Sequence, residues 1–164
     1  MKPWILLFAF TMAYSAGAYA QSNDEITFGG RLICQLDDQG GVNCVTDDAF
    51  TRLQPPANTP PFTSLSAGDV HVCAITQAGS AFCWGDNNFG QLDAPDDVQF
   101  VSISSGTNFS CGVTTDNRVQ CWGLDTHGET QPPADQRYIQ TAHDETTSCG
   151  VQLDGRISCW GAVS

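Results

Sequence analysis

The chain of 164 residues carries 18 acidic against six basic side chains, for a formal net charge of −12. So few cations cannot assemble the basic patch of a nucleic-acid binder or the basic face of a peripheral membrane protein. The balance favours solubility, or a basic partner.

The N-terminus reads as a secretory signal peptide. Lys2 gives a positive start, Trp4 to Tyr14 an apolar stretch, and Ala18-Tyr19-Ala20 a small-residue cleavage site. The apolar run is too short for a transmembrane helix. Residues 1–20 are therefore expected to be removed, leaving no stable membrane anchor and an extracytoplasmic protein, secreted or periplasmic. Residues 21–164 would form one domain with five arginines and no lysine. About 140 residues suffice for a single core.

Four units follow, at roughly residues 24–56, 62–95, 100–133 and 138–161. Cys34 and Cys44, Cys73 and Cys83, Cys111 and Cys121, and Cys149 and Cys159 share one ten-residue step, and the unit starts lie 39, 38 and 38 residues apart. If the two cysteines of a unit face each other, each hairpin has a three-residue loop. Its last position is Gly40, Gly79, Asn117 or Gly155, and that loop needs a left-handed residue there. Parity places each cysteine pair at a non-hydrogen-bonded site, close enough for a disulfide. Eight cysteines allow 105 pairings, but the matching loops favour four bridges within the units. Zinc is the alternative, and the short cysteine spacings of structural zinc sites are absent. Side chains two apart share a strand face. The cysteine face therefore carries Leu36, Ile75, Val113 and Val151, and the opposite face Trp84, Trp122 and Trp160.

The repeat extends beyond the hairpin. Phe62, Phe100 and Tyr138 precede the first cysteine of their units by eleven residues, and Ile26, Leu65, Ile103 and Thr141 precede it by eight. An inner strand thus precedes each hairpin. Pro56, Pro95 and Pro133 lie twelve residues past the second cysteine, with Phe50, Phe89 and His127 six past it. Proline suits a crossing segment rather than a ladder. Small sheets, apolar on both faces and joined edge to centre, describe an all-β, β-propeller-type array of four antiparallel blades with at least three strands each. An open or partial propeller is expected, with a closed four-bladed ring as the alternative.

Ala67-Gly68-Asp69-Val70-His71-Val72-Cys73-Ala74-Ile75, with Phe82-Cys83-Trp84-Gly85-Asp86-Asn87-Asn88-Phe89-Gly90-Gln91-Leu92, resembles the regulator of chromosome condensation repeats in their bacterial, cysteine-paired form. The third unit keeps Ser105-Gly106, Cys121-Trp122-Gly123 and Gly128; the fourth keeps Cys149 and Cys159-Trp160-Gly161; the first keeps mainly spacing. The resemblance implies a propeller, usually of seven blades. Family members include a nuclear exchange factor for a small GTPase and a secreted inhibitor of β-lactamases. Neither role can be carried over residue by residue, and fold does not imply function.

His71, His127 and His143 occupy three different places in the repeat and form no readable catalytic constellation. Asp47-Asp48 and Asp86-Asn87-Asn88 do not follow a calcium-loop spacing. No catalytic residue, cofactor or metal site is expected. Phe50, Asp86, Asn87, Asn88, Phe89, Asp125 and His127 are the candidate interaction residues, since aromatics are enriched at hot spots. The expected function is non-catalytic protein binding or self-association. The alternatives are inhibition of an extracytoplasmic hydrolase and a truncated array with no activity of its own.

Overall fold

The computed structural model describes residues 25–30, 32–46 and 53–163. The expected signal peptide, Asp47, Asp48 and Phe50 lie outside the described residues. Among the described residues, twelve strands form four separate three-stranded antiparallel meanders. The first holds β1 (Glu25–Gly29), β2 (Leu32–Leu36) and β3 (Val42–Thr46), and the second β4 (Phe62–Ala67), β5 (His71–Thr76) and β6 (Ala81–Gly85). The third holds β7 (Phe100–Ser105), β8 (Phe109–Thr114) and β9 (Val119–Gly123), and the fourth β10 (Tyr138–His143), β11 (Thr147–Gln152) and β12 (Ile157–Gly161).

Each hairpin follows the register that the cysteines imply. Cys34 faces Cys44, Cys73 faces Cys83, Cys111 faces Cys121 and Cys149 faces Cys159. All four pairs are bridged, with Cα atoms 4.0–4.1 Å apart. That is the close spacing of a non-hydrogen-bonded pair. Gly40, Gly79 and Gly155 take φ of 79°, 85° and 85°, and Asn117 takes 65°. These are the four left-handed loop positions.

The loop carbonyls also join the units. Gly40 O accepts the amide of Phe62 at 3.0 Å, Gly79 O that of Phe100 at 2.8 Å, and Asn117 O that of Tyr138 at 2.8 Å. The next inner strand therefore starts on the previous hairpin. A bulge follows in β4, β7 and β10. It leaves Phe62, Phe100 and Tyr138 buried against Trp84, Trp122 and Trp160, with ring centroids 5.7 Å apart in each case. Gly112 and Gly150 make room for two of these rings. A Cβ at either would come within 2.4 Å of Phe100 or Tyr138 ring carbons.

The core lies between units. The cysteine face of one packs on the tryptophan face of the next. Leu32, Cys34 and Leu36 meet Leu65, Val72 and Trp84. Cys73 and Ile75 meet Phe100, Ile103 and Trp122. Val113 meets Tyr138 and Trp160. Full burial of one large apolar side chain contributes about 1.5–3 kcal/mol, so each junction is held chiefly by apolar area. Among the described residues, large apolar side chains on the two outermost faces are exposed. On the first unit Phe28 is 72% exposed, and on the fourth Ile157 is 71% exposed. The four blades form an open arc, and the closed four-bladed ring is not what this chain adopts.

Candidate binding surface on the connector turns

Phe89 and His127 stand at equivalent tips of the second and third connectors, both exposed. Each tip is built on a buried side chain two residues further on. Gln91 Oε1 accepts the Phe89 amide at 2.9 Å, and its Nε2 donates to Asp86 at 3.1 Å. In the next unit Glu129 Oε1 accepts the Thr126 amide and hydroxyl, and Oε2 accepts the His127 amide. Gln91 and Glu129 are fully buried. Burial works against the Glu129 charge, but its own amide together with the Thr126 and His127 donors outweighs it and holds the carboxyl below its ordinary value. Between tip and support, Gly90 and Gly128 turn the chain at φ of 80° and 85°, a conformation glycine adopts without strain.

A second clamp crosses each turn with its polarity reversed. Asn87 Oδ1 accepts the Leu92 amide, while Asn87 Nδ2 donates to Asp93. One unit on, Asp125 Oδ1 accepts the Thr130 amide, while Gln131 Nε2 donates to Asp125. An amide–acid pair thus becomes an acid–amide pair around the same geometry. The Gln131 amide is the main cause that holds the Asp125 carboxyl below its usual range. Asp86, Asn87 and Asp125 therefore shape the turns from within. Asn88 is also tied back, its Nδ2 donating to Asp86 Oδ1 at 2.7 Å. Asn87, Asn88 and Asp125 are exposed as well, but their side chains are bonded into the turns, and Phe89 and His127 stand at the tips.

Gln91 and Glu129 were not among the candidates, although they lie one repeat of 38 residues apart. Their backbone carbonyls accept the indole N–H of the following unit. Trp84 bonds Leu53 O, Trp122 bonds Gln91 O and Trp160 bonds Glu129 O, at 2.5, 3.0 and 2.8 Å. The constant separation of 31 residues was the available signal.

The remaining histidines lie within the junctions. His71 Nε2 meets Ser110 Oγ at 2.7 Å, and both residues are wholly buried. His143 lies between Ser104 at 2.7 Å and Ser148 at 2.9 Å. Burial lowers both imidazoles to about 4, against a weaker opposing pull from Asp86 on His71 and from Asp144 on His143. These are neutral structural side chains. The serine beside His71 has no route to a substrate, which a nucleophile requires. No group of three or more metal-ligating side chains occurs among the described residues.

Residues 62–91 and 100–129 match the model of the regulator of chromosome condensation (RCC1) repeat. Both matches end on the buried support residue of a turn, Gln91 or Glu129. Among solved structures, the ectodomain of the receptor kinase CR4 from Physcomitrella patens superposes with a TM-score of 0.74 at 23% identity, over 90% of this chain and 43% of that one. The ectodomain of the Arabidopsis thaliana receptor kinase ACR4 gives 0.71 at 23% identity, over 87% and 51%. Prp20p from Saccharomyces cerevisiae gives 0.69 at 18% identity, over 84% and 43%. These likenesses establish the propeller-blade fold, and the chain spans about half the length of each structure.

Proposed function

We propose that this chain, whose second and third units are regulator of chromosome condensation (RCC1) repeats, is a non-catalytic propeller scaffold that binds another protein outside the cytoplasm. The observation that carries this reading is the pair of exposed tips, Phe89 and His127, each seated on a buried, fully hydrogen-bonded support. Aromatic side chains on a rigid base lose little freedom on binding, which is how hot spots gain affinity. The burial of His71 and Ser110 favours binding over catalysis. Four disulfides favour an oxidising compartment. Two of the similar structures are receptor ectodomains, and work on Prp20p concerned its binding to Gsp1p and histones. The net charge of −12 favours a partner with a basic face.

The test is affinity capture from extracytoplasmic extract with the oxidised chain, run beside a Phe89→Ala/His127→Ala variant. One protein should recur at stoichiometric yield with the parent and be lost with the variant, at unchanged melting temperature. Equal capture by both would move the surface elsewhere; no recurrent partner would remove the proposal. Added hydrolase activity assays on the captured protein would show whether binding inhibits it.

A further inference from the structure

The two outermost faces of the arc, exposed among the described residues at Phe28, Ile33, Val45 and Ile157, are the two halves of the junction that its interior repeats three times. We infer that they bind each other between two copies of the chain, head to tail, closing an eight-bladed ring. This inference uses the end faces and not the connector tips, so loss of the proposed partner would leave it standing.

The fourth unit offers a cysteine face. Its Val151–Ile157 pair lies one step along that face from the Cys149–Cys159 pair. Ile157 occupies the place that Val42, Ala81 and Val119 fill at the three internal junctions, where those side chains pack against the next unit. The first unit offers the opposite kind of face. Phe28 pairs with Ile33, and Ile33 with Val45. These positions correspond to Ala67, Val72 and Trp84 of the second unit, all buried at 4%, 0% and 4% exposure. In the first unit the same positions are 72%, 43% and 58% exposed. Equivalent positions, apolar in both units, are thus covered inside the array and uncovered at its end.

Two details fit a second copy as the occupant. Val45 replaces the tryptophan of the later units and carries no N–H. The head face therefore needs no carbonyl from the unit it docks on, whereas Trp84, Trp122 and Trp160 each use one. Gly155 repeats the left-handed loop whose carbonyl joins one unit to the next, and no atom lies within 4 Å of its Cβ position. A head-to-tail contact forms a ring if its rotation closes and a filament if it does not. Two arcs of four sheets make eight blades, within the usual range of about four to eight for closed propellers, whereas three arcs would exceed it.

Sedimentation velocity of the oxidised chain, with Phe28→Asp and Ile157→Asp variants, tests this. The parent should sediment as a dimer with no larger species, and each variant as a monomer with an unchanged near-ultraviolet spectrum. Mixing the two variants should restore dimers, because one of the two junctions then joins two unaltered faces. A dimer lost with Phe28→Asp but kept with Ile157→Asp would mean a head-to-head contact and overturn the inference. So would a parent that stays monomeric at high concentration, or one that grows into open polymers.

Discussion

At Gly79 the backbone is held at φ 85°, while the space beside it is ordinary: the nearest atom to an added Cβ would be Gln99 Cβ at 3.4 Å. Gly79→Ala should therefore cost the conformational term alone, about 1–2 kcal/mol, read as a lower melting temperature. Asn117 already pays that term and recovers part of it, since its Nδ2 donates to Tyr138 O at 3.1 Å. Asn117→Gly removes both the strain and the bond, so its stability should change less than that of Gly79→Ala. The imidazoles set an acid response. His71 and His143 are lowered from 6.5 to about 4, so below pH 6.5 the unfolded chain binds protons that the folded chain refuses. Stability from these groups is complete above about 6.5, falls as pH drops towards 4, and levels off below it. For the wholly buried His71 the loss is on the order of 3 kcal/mol. Glu25, raised by burial against the Leu65 amide bond, acts in the opposite sense and offsets part of the fall. Denaturant titrations at pH 7 and pH 4 should give a smaller difference for His143→Asn than for the parent.

At the level of elements, the hairpins were legible in the sequence and the connectors only partly so. A cysteine step of ten with Gly or Asn at one loop position leaves few registers open, and alternation then assigns each side chain to a face. The connectors keep the repeat spacing but change residue type from unit to unit. Their order comes from Gln91 and Glu129, a neutral and a charged side chain that fold the same turn by opposite donor–acceptor choices. Composition hides that equivalence, and it also hides that Asp86, Asn87 and Asp125 hydrogen-bond within their turns. Glu129→Ala would strip the Thr126 and His127 amides of their acceptor. A hydrogen bond to a charged group contributes about 1.5–3 kcal/mol, so limited proteolysis should cut faster near Gly128 while the cut rate near Gly90 stays the same.

Across the whole molecule, stability is distributed over three junctions and four bridges rather than one central core. A 15-residue loop closed by a disulfide contributes about 3 kcal/mol in the entropic model, and the ten-residue separations here place each bridge somewhat below that. Their sum is comparable to the whole stability of a small domain, about 5–15 kcal/mol. Reduction should therefore unfold the array, read as loss of near-ultraviolet circular dichroism. The indole bonds add something that the sheet count conceals. Trp122 belongs to the third sheet, yet it closes the second connector, and Trp160 of the fourth sheet closes the third connector. The joints are staggered, as in brickwork, so the piece that can be lifted out whole does not coincide with the repeat written in the sequence. It runs from one connector through the hairpin after it. A fragment cut after Pro95 would carry a Gln91 carbonyl without its indole, whereas one cut after Gly85 ends on a finished sheet. Of the two, the shorter should melt more sharply, and a graft between arrays of this kind should be joined in front of the connector rather than behind it.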